Sequence, residues 1–237
     1  MNPSSDASMN WNHLRADRYI DTIAAKIPGY HHLYDMTARL MNVLLQSLQQ
    51  PPEVLIVGAG GGQELVTLGS AHPDWKLTGL DPSDRMLEVA TRRMESMSLT
   101  PPVTLVHGSV DQLPQSRLYD AATCLLVLHF VQGLSEKARL LSSLAQRLKP
   151  GAPLCIAAIN GSPATEAFTI MMQAWKAHML DNGVPIEEWE RFATSFGKEF
   201  DPIPTSTLLT LLREAGFREP TSYYGAYLID AWFAIKE

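Results

Sequence analysis

Residues Val54 to Leu65 read VLIVGAGGGQEL, and the fold turns on this stretch. An apolar run ends abruptly in glycines at positions 58, 60, 61 and 62, and a helix-like pattern follows. A bare backbone at a strand end lets a ligand press against the main chain, and such ligands are most often nucleotides. Gly58, Gly60 and Gly62 follow the strand and open the helix, so the amides of that turn are the first candidate anchor. A dinucleotide fingerprint wants a third glycine at position 63. Gln63 stands there instead, and the G-x-G-x-G spacing suits another nucleoside ligand.

Working outward, strands and helices alternate. Val54 to Val57 reads as a buried strand, Gln63 to Ala71 as a helix, Lys76 to Leu80 as a strand and Ser83 to Met97 as its helix. Further strands are expected over Val103 to His107, Tyr119 to Leu126 and Pro153 to Ile159, with a helix over Ser135 to Leu148 stopped by KPG. That rhythm implies a parallel sheet with helices on both faces. From Trp11 to Gln50 apolar residues recur at helical spacing, broken at Pro28 to Tyr30. The alternation lapses between Ser162 and Phe200, where two helices, Ala164 to Leu180 and Pro185 to Phe196, carry many large apolar side chains. A helix over Thr205 to Ala215 and paired strands over Phe217 to Tyr224 and Tyr227 to Lys236, joined through Gly225, close the chain. We expect a single domain over 1–237: a helical lid (1–50), a cofactor-binding core (51–160), a helical substrate cap (161–200) and a closing helix and hairpin (201–237).

At 237 residues, 46% apolar and 19% charged, the chain has the composition of an ordinary globular protein. No run approaches the roughly 18 apolar residues of a membrane span, and the first residues lack a secretory signature. The expectation is a cytoplasmic protein that does not engage a membrane. A net charge of −6 without a basic stripe argues against a nucleic-acid partner. Cys124 and Cys155 sit in apolar runs and read as buried free thiols, and no metal site is expected.

The strand tips hold the other candidate anchors. Asp81 ends the second strand, where a carboxylate can accept hydrogen bonds from both hydroxyls of a ribose, each contributing roughly 1.5–3 kcal/mol. The alternative for an Asp after a strand is a turn former or helix cap. After the third strand, VHGSVDQLP offers amides near Val110 and the side chains of Ser109 or Asp111 to an adenine edge. Leu125 to His129 ends the fourth strand at the same crevice, which is where open α/β sheets bind ligands.

These pieces together, VLIVGAGGG, LTGLDPSDRMLEVA, HGSVDQLP, LVLHFV and RLKPGAPL, resemble the class I S-adenosylmethionine-dependent methyltransferases in order and spacing across about Glu53 to Ile159. The closing LLREAGFREPTSYYGAYLIDAWFAIKE resembles that family's last helix and reversed hairpin. The resemblance implies a Rossmann-like, seven-stranded, mostly parallel sheet with a reversed last strand, and S-adenosyl-L-methionine as cofactor. It also implies that Gly58, Ala59, Gly60 and Gly62 line the methionine part, Asp81 holds the ribose and Pro82 and Met86 flank the adenine. Ser109 and Val110 border the adenine edge, and Leu125 follows strand four. Two positions depart from the pattern: Ile56 stands where the family often has an acid, and Ser109 where it often has Asp. KIPGYHHLY resembles a segment of carboxy-S-adenosylmethionine synthases, which implies Tyr30 as a cover over the cofactor. Those enzymes use an arginine in the last long helix, whereas TLLTLLREAGF here offers only Arg213 near its end.

Methyl transfer from a sulfonium needs alignment and exclusion of water, which orientation can supply at roughly 7–11 kcal/mol. A general base is needed mainly for an acceptor that carries a proton at neutral pH. His129 is the base candidate, against the alternative of a packed histidine that orients a loop. His31, Met172, Trp175 and Tyr224 are the candidates to touch a small-molecule methyl acceptor, against the alternative of helix surface or core. The acceptor atom, whether O, N, C or S, and the oligomeric state are not specified by these residues. The other readings are a non-catalytic cofactor binder, a cofactor-modifying synthase, and a nicotinamide oxidoreductase, which Gln63 disfavours.

Overall fold

The structure, a computed structural model, describes residues 22–99 and 102–237. The helix expected from Trp11 lies outside the described residues as far as 21, and residues 22–26 are helical. Helix α1 (Tyr30–Leu45) precedes β1 (Glu53–Val57), α2 (Gln63–Ala71), β2 (Lys76–Asp81), α3 (Asp84–Ser96) and β3 (Val103–His107). Next come β4 (Ala121–Leu125), α4 (Leu134–Gln146) and β5 (Pro153–Ile159). The chain ends with α5 (Glu166–Asp181), α6 (Ile186–Thr194), α7 (Thr205–Glu214), β6 (Phe217–Ala226) and β7 (Ile229–Lys236).

The seven strands form one sheet in the order β3-β2-β1-β4-β5-β7-β6. β1 to β5 are parallel and β7 runs antiparallel to both its neighbours. Strand order reverses between β1 and β4, which makes their carboxyl ends the natural crevice. The central strands β4 and β5 are buried at every position, as expected of parallel strands covered on both faces.

Side chains alternate across the sheet. Leu55 and Val57 join one cluster with Leu141 and Leu144 of α4 and Leu208, Leu211 and Leu212 of α7. Val54 and Ile56 join another with Met41 of α1, Leu65 of α2 and Ala90 of α3. A third cluster lies beyond the carboxyl ends of β4 and β5. It joins Leu125, Ala157 and Ile159 to Tyr30, Leu33 and Tyr34 of α1 and to Trp175 and Met179 of α5. The N-terminal helix and the inserted helices therefore share one apolar cluster over the strand tips.

Some boundaries differ from the sequence reading, each for a local reason. β2 runs on through Asp81, because its pairing with β3 continues to His107. β4 starts only at Ala121: Tyr119 bridges Leu148, while the Asp120 carboxylate accepts the Glu53 N–H at 2.9 Å and pairs with Lys149 at 2.6 Å. The last hairpin turns at residues 227–228 rather than at Gly225, with Tyr227 at φ 53° and Gly225 paired inside β6. The expected break at Pro28 to Tyr30 is present, with Gly29 in the left-handed region at φ 66°. A Cβ there would collide with the Tyr224 hydroxyl.

Candidate cofactor site

The turn after β1 is built by hydrogen bonds to the tip of β2. The Ala59 N–H donates to Leu80 O at 2.7 Å and the Gly60 N–H to Asp81 Oδ2 at 2.8 Å. Asp81 Oδ1 accepts the Ser83 N–H at 2.9 Å, and Ser83 in turn caps α3 through Met86 N. Burial pushes the Asp81 carboxyl up, and the Ser83 and Gly60 amides and nearby His107 work against that push. Three glycines of the turn have positive φ: Gly58 at 72°, Gly60 at 48° and Gly62 at 81°. A Cβ at Gly58 would overlap Val127, whereas one at Gly60 would meet nothing nearer than 3.6 Å and would project into the space beside Met86 and Asp81.

That space is a cavity of about 150 Å³ at the carboxyl ends of β1, β2 and β4. Its wall includes Tyr30, Gly58, Ala59, Gly60, Asp81, Pro82, Met86 and Leu125, all of them expected from the sequence. Leu126 also lines it, at φ 59°, an uncommon left-handed conformation for a branched residue. Its N–H donates to Ala157 O at 2.7 Å, which holds the turn out of β4. Tyr30 is buried, its ring edge-on to Tyr34 at 4.9 Å, and burial raises its phenol to about 12 despite help from Tyr34.

Several expected residues lie elsewhere, for identifiable reasons. Gly62 does not line the cavity. It caps α2, and its missing side chain lets α2 approach α3, since a Cβ would stand 3.0 Å from Ala90. Ser109 forms a capping box with Gln112 on a short 3-10 turn, and Val110 is buried in the core cluster beneath. His129 is 4% exposed and outside the cavity wall. Its Nδ1 accepts the Ile159 N–H at 3.2 Å, its ring contacts Phe130 and Phe200, and burial followed by the Lys137 charge lowers it to about 3. It is a structural acceptor rather than a base aimed at the site.

None of the four expected substrate residues reaches the cavity wall. Trp175 Nε1 donates to Lys26 O at 2.7 Å and the Tyr224 hydroxyl to Pro28 O at 2.6 Å, so both tie down the segment before α1. Met172 packs against the apolar cluster over the strand tips, and His31 is exposed. The cavity wall also holds residues the sequence reading missed, among them Tyr34, Gln63, Glu64, Arg93 and Phe130. An acid in the first turn after a glycine loop was a visible signal for Glu64. Arg93 had none, because it reaches the site only where α3 crosses the start of α2. The Arg93 guanidinium donates to Gln63 Oε1 at 2.6 Å.

Asp81 could accept nucleoside hydroxyls, Pro82 and Met86 could flank an adenine, and the bare backbone at Gly60, with ionisable side chains among the lining residues, could admit an amino-acid tail. The residues present thus fit S-adenosylmethionine. Residues 55–154 match the methyltransferase domain family. By fold and by this domain match the chain resembles the class I S-adenosylmethionine-dependent methyltransferases.

Among relatives, it is similar to the ubiquinone biosynthesis O-methyltransferase of Alkalilimnicola ehrlichii, 27% identical over 164 residues, 68% of this chain and 63% of that protein. The match thus spans less than two thirds of that relative. A carboxy-S-adenosyl-L-methionine synthase of Colwellia psychrerythraea is 22% identical over 221 residues, covering 91% of this chain and 87% of that protein. The crystal structure of magnesium protoporphyrin IX methyltransferase from Synechocystis PCC 6803 with bound SAH superposes with a TM-score of 0.68 at 18% identity, covering 96% of each chain.

Proposed function

We propose that the protein transfers the methyl group of S-adenosylmethionine to a small-molecule acceptor. The observation that carries this reading is the Gly60–Asp81 hydrogen bond, which gathers the glycine turn and the β2 carboxylate at one cavity on the strand tips. In this reading Asp81 orients the ribose, Pro82 and Met86 hold the adenine, and the Gly58 to Gly60 turn leaves room for the methionyl chain. The bound cofactor supplies the activated methyl. The protein aligns the acceptor with it and excludes water. No side chain is assigned as a base.

Helix α1 serves as a lid and α5–α6 as a cap, which their shared apolar cluster supports. A cavity of about 150 Å³ is smaller than the about 300–1,000 Å³ usual for ligand pockets, so entry requires α1 to move outward around Tyr30 and Tyr34. The acceptor then enters between lid and cap.

A cofactor-modifying reaction like that of the carboxy-S-adenosylmethionine synthases draws support from the near full-length match to one of them. Against it, Arg213 is exposed in the last turn of α7 and absent from the cavity wall. Calorimetry with S-adenosylmethionine, S-adenosylhomocysteine and NAD, followed by a methyl-transfer screen over small acceptors, tests the proposal. Binding of the two sulfur nucleosides and methylation of an acceptor is the expected result. Binding of NAD alone would overturn it.

A further inference from the structure

Glu64 is the one ionisable group in the cavity wall with an unanswered oxygen. It lies in the first turn of α2, is 4% exposed, and its Oε1 has no hydrogen-bond partner among the described residues. A buried carboxyl oxygen left without a partner is expensive unless a ligand completes it. Arg93 lines the same cavity, held in place by Gln63. One acidic and one basic group beside a bare glycine turn match the two charges of an α-amino acid. We propose that Glu64 and Arg93 clamp the amino-acid end of the nucleoside, Glu64 taking the ammonium group and Arg93 the carboxylate, and that Glu64 surrenders its proton to solvent as the ammonium enters. This deepens the cofactor reading and rests on it.

The chemistry balances simply. Free Glu64 is a neutral acid: burial raises its carboxyl to about 8, with the neighbouring Thr123 hydroxyl working against that rise. When an ammonium group docks, the carboxyl O–H bond breaks, the proton leaves to buffer, and a carboxylate–ammonium pair remains. The groups that feel the Glu64 charge are Tyr30 from α1, Cys124 from β4, Cys155 from β5 and Tyr223 from β6. All four are weaker acids than Glu64 and stay neutral at pH 7: burial raises Tyr30 and Cys155 to about 12 and pushes Cys124 and Tyr223 well up. Arg93, the cation of the wall, bonds to Gln63 and leaves Oε1 of Glu64 unanswered. Glu64 therefore keeps its proton until a second cation arrives.

The test uses two probes, S-adenosylhomocysteine, which carries the amino-acid end, and 5′-methylthioadenosine, which lacks it. Titration calorimetry at pH 7 in buffers of different ionisation enthalpy should show close to one proton released per S-adenosylhomocysteine and none with methylthioadenosine. Affinity for the first should rise with pH up to about 8. Glu64→Gln and Arg93→Ala should each weaken S-adenosylhomocysteine by about 10- to 100-fold, the range for a hydrogen bond to a charged group. Both variants should bind methylthioadenosine as the wild type does, which also shows that they are folded. Undiminished affinity of Glu64→Gln for S-adenosylhomocysteine, no proton release, or equal losses for both probes would each overturn the clamp. If the wild type binds neither probe, the cofactor reading itself fails.

Discussion

The Gly60 backbone N–H donates to Asp81 Oδ2 at 2.8 Å, so the turn after β1 and the tip of β2 are one structure rather than two separate anchors. Removing the carboxylate leaves the Gly60 and Ser83 amides without their acceptor as well as any ribose without its own. Asp81→Ala is expected to lower affinity for both adenosyl probes by about 100-fold, from the loss of one to two charge-assisted bonds. Calorimetry that finds undiminished affinity would remove Asp81 from the site.

Gly62 and Gly183 have nearly the same φ, 81° and 77°, but different surroundings. A Cβ on Gly62 would press on Ala90 at 3.0 Å, while one on Gly183, which ends α5 with Val184 N–H donating back to Met179 O, would meet nothing within 4 Å. Gly183→Ala therefore costs only the left-handed strain, about 1–2 kcal/mol. Gly62→Ala adds overpacking between α2 and α3, about 1–3 kcal/mol more. Urea unfolding of the two variants measures the difference. Equal losses would mean that α2 and α3 are free to separate.

Most of the fold was legible because the strands are short and apolar and the glycine turn punctuates the first of them. β3, β5 and α2 fall where the sequence put them, and the cavity wall includes most of the residues expected to touch the cofactor. What the sequence hid was long-range. Nothing in the local pattern says that the Trp175 indole spends its N–H on Lys26 O, or that Tyr224 bonds Pro28 O across 196 positions. His129 looked catalytic because it follows a strand tip. Only the Ile159 N–H that it accepts shows the ring turned inward.

Held near 3 when folded, His129 stays neutral well below the ordinary value of 6.5. A depressed folded value means stability that is present above about 6.5 and lost as pH falls toward 3, at up to about 1.4 kcal/mol per pH unit. His129→Gln should be less stable than wild type at pH 7 and should show a flatter acid limb in urea unfolding. The pH dependence of methyl transfer should gain no altered limb in this variant. Disappearance of a limb near pH 6–7 would restore His129 as the base.

Lys137 is fully buried, its Nζ donating to Val131 O and paired with Asp201 Oδ2 at 3.1 Å. The same Asp201 oxygen accepts the Gly133 N–H at 2.7 Å, and the Asp201 N–H donates to His129 O at 2.7 Å. One side chain thus joins the segment after α6 to the start of α4. Burial lowers the Lys137 ammonium, and Asp201 counters it. Asp201→Ala leaves the ammonium half-answered and should cost about 3 kcal/mol. Lys137→Met with Asp201→Ala should recover part of that loss. Additive losses in the double variant would show that the pair is not coupled.

Glu64 gives the protein its second pH limb, of opposite sign. Its folded value of about 8 lies above the ordinary 4.5, so the folded state binds the proton more tightly than the unfolded chain. Stability in the absence of ligand is therefore fully present below about 4.5 and falls as pH rises to about 8, by on the order of a few kcal/mol in all. Between about 4.5 and 6.5 this slope opposes that of His129, and the two should flatten the profile there. Glu64→Gln removes the alkaline fall, so the variant should gain on wild type steadily from pH 5 to pH 8 in urea unfolding without ligand. If saturating S-adenosylhomocysteine restores wild-type stability at pH 8 more than it restores Glu64→Gln, the ammonium is what the buried acid was waiting for. A wild-type profile already flat above pH 5 would mean that Glu64 is ionised in the free protein.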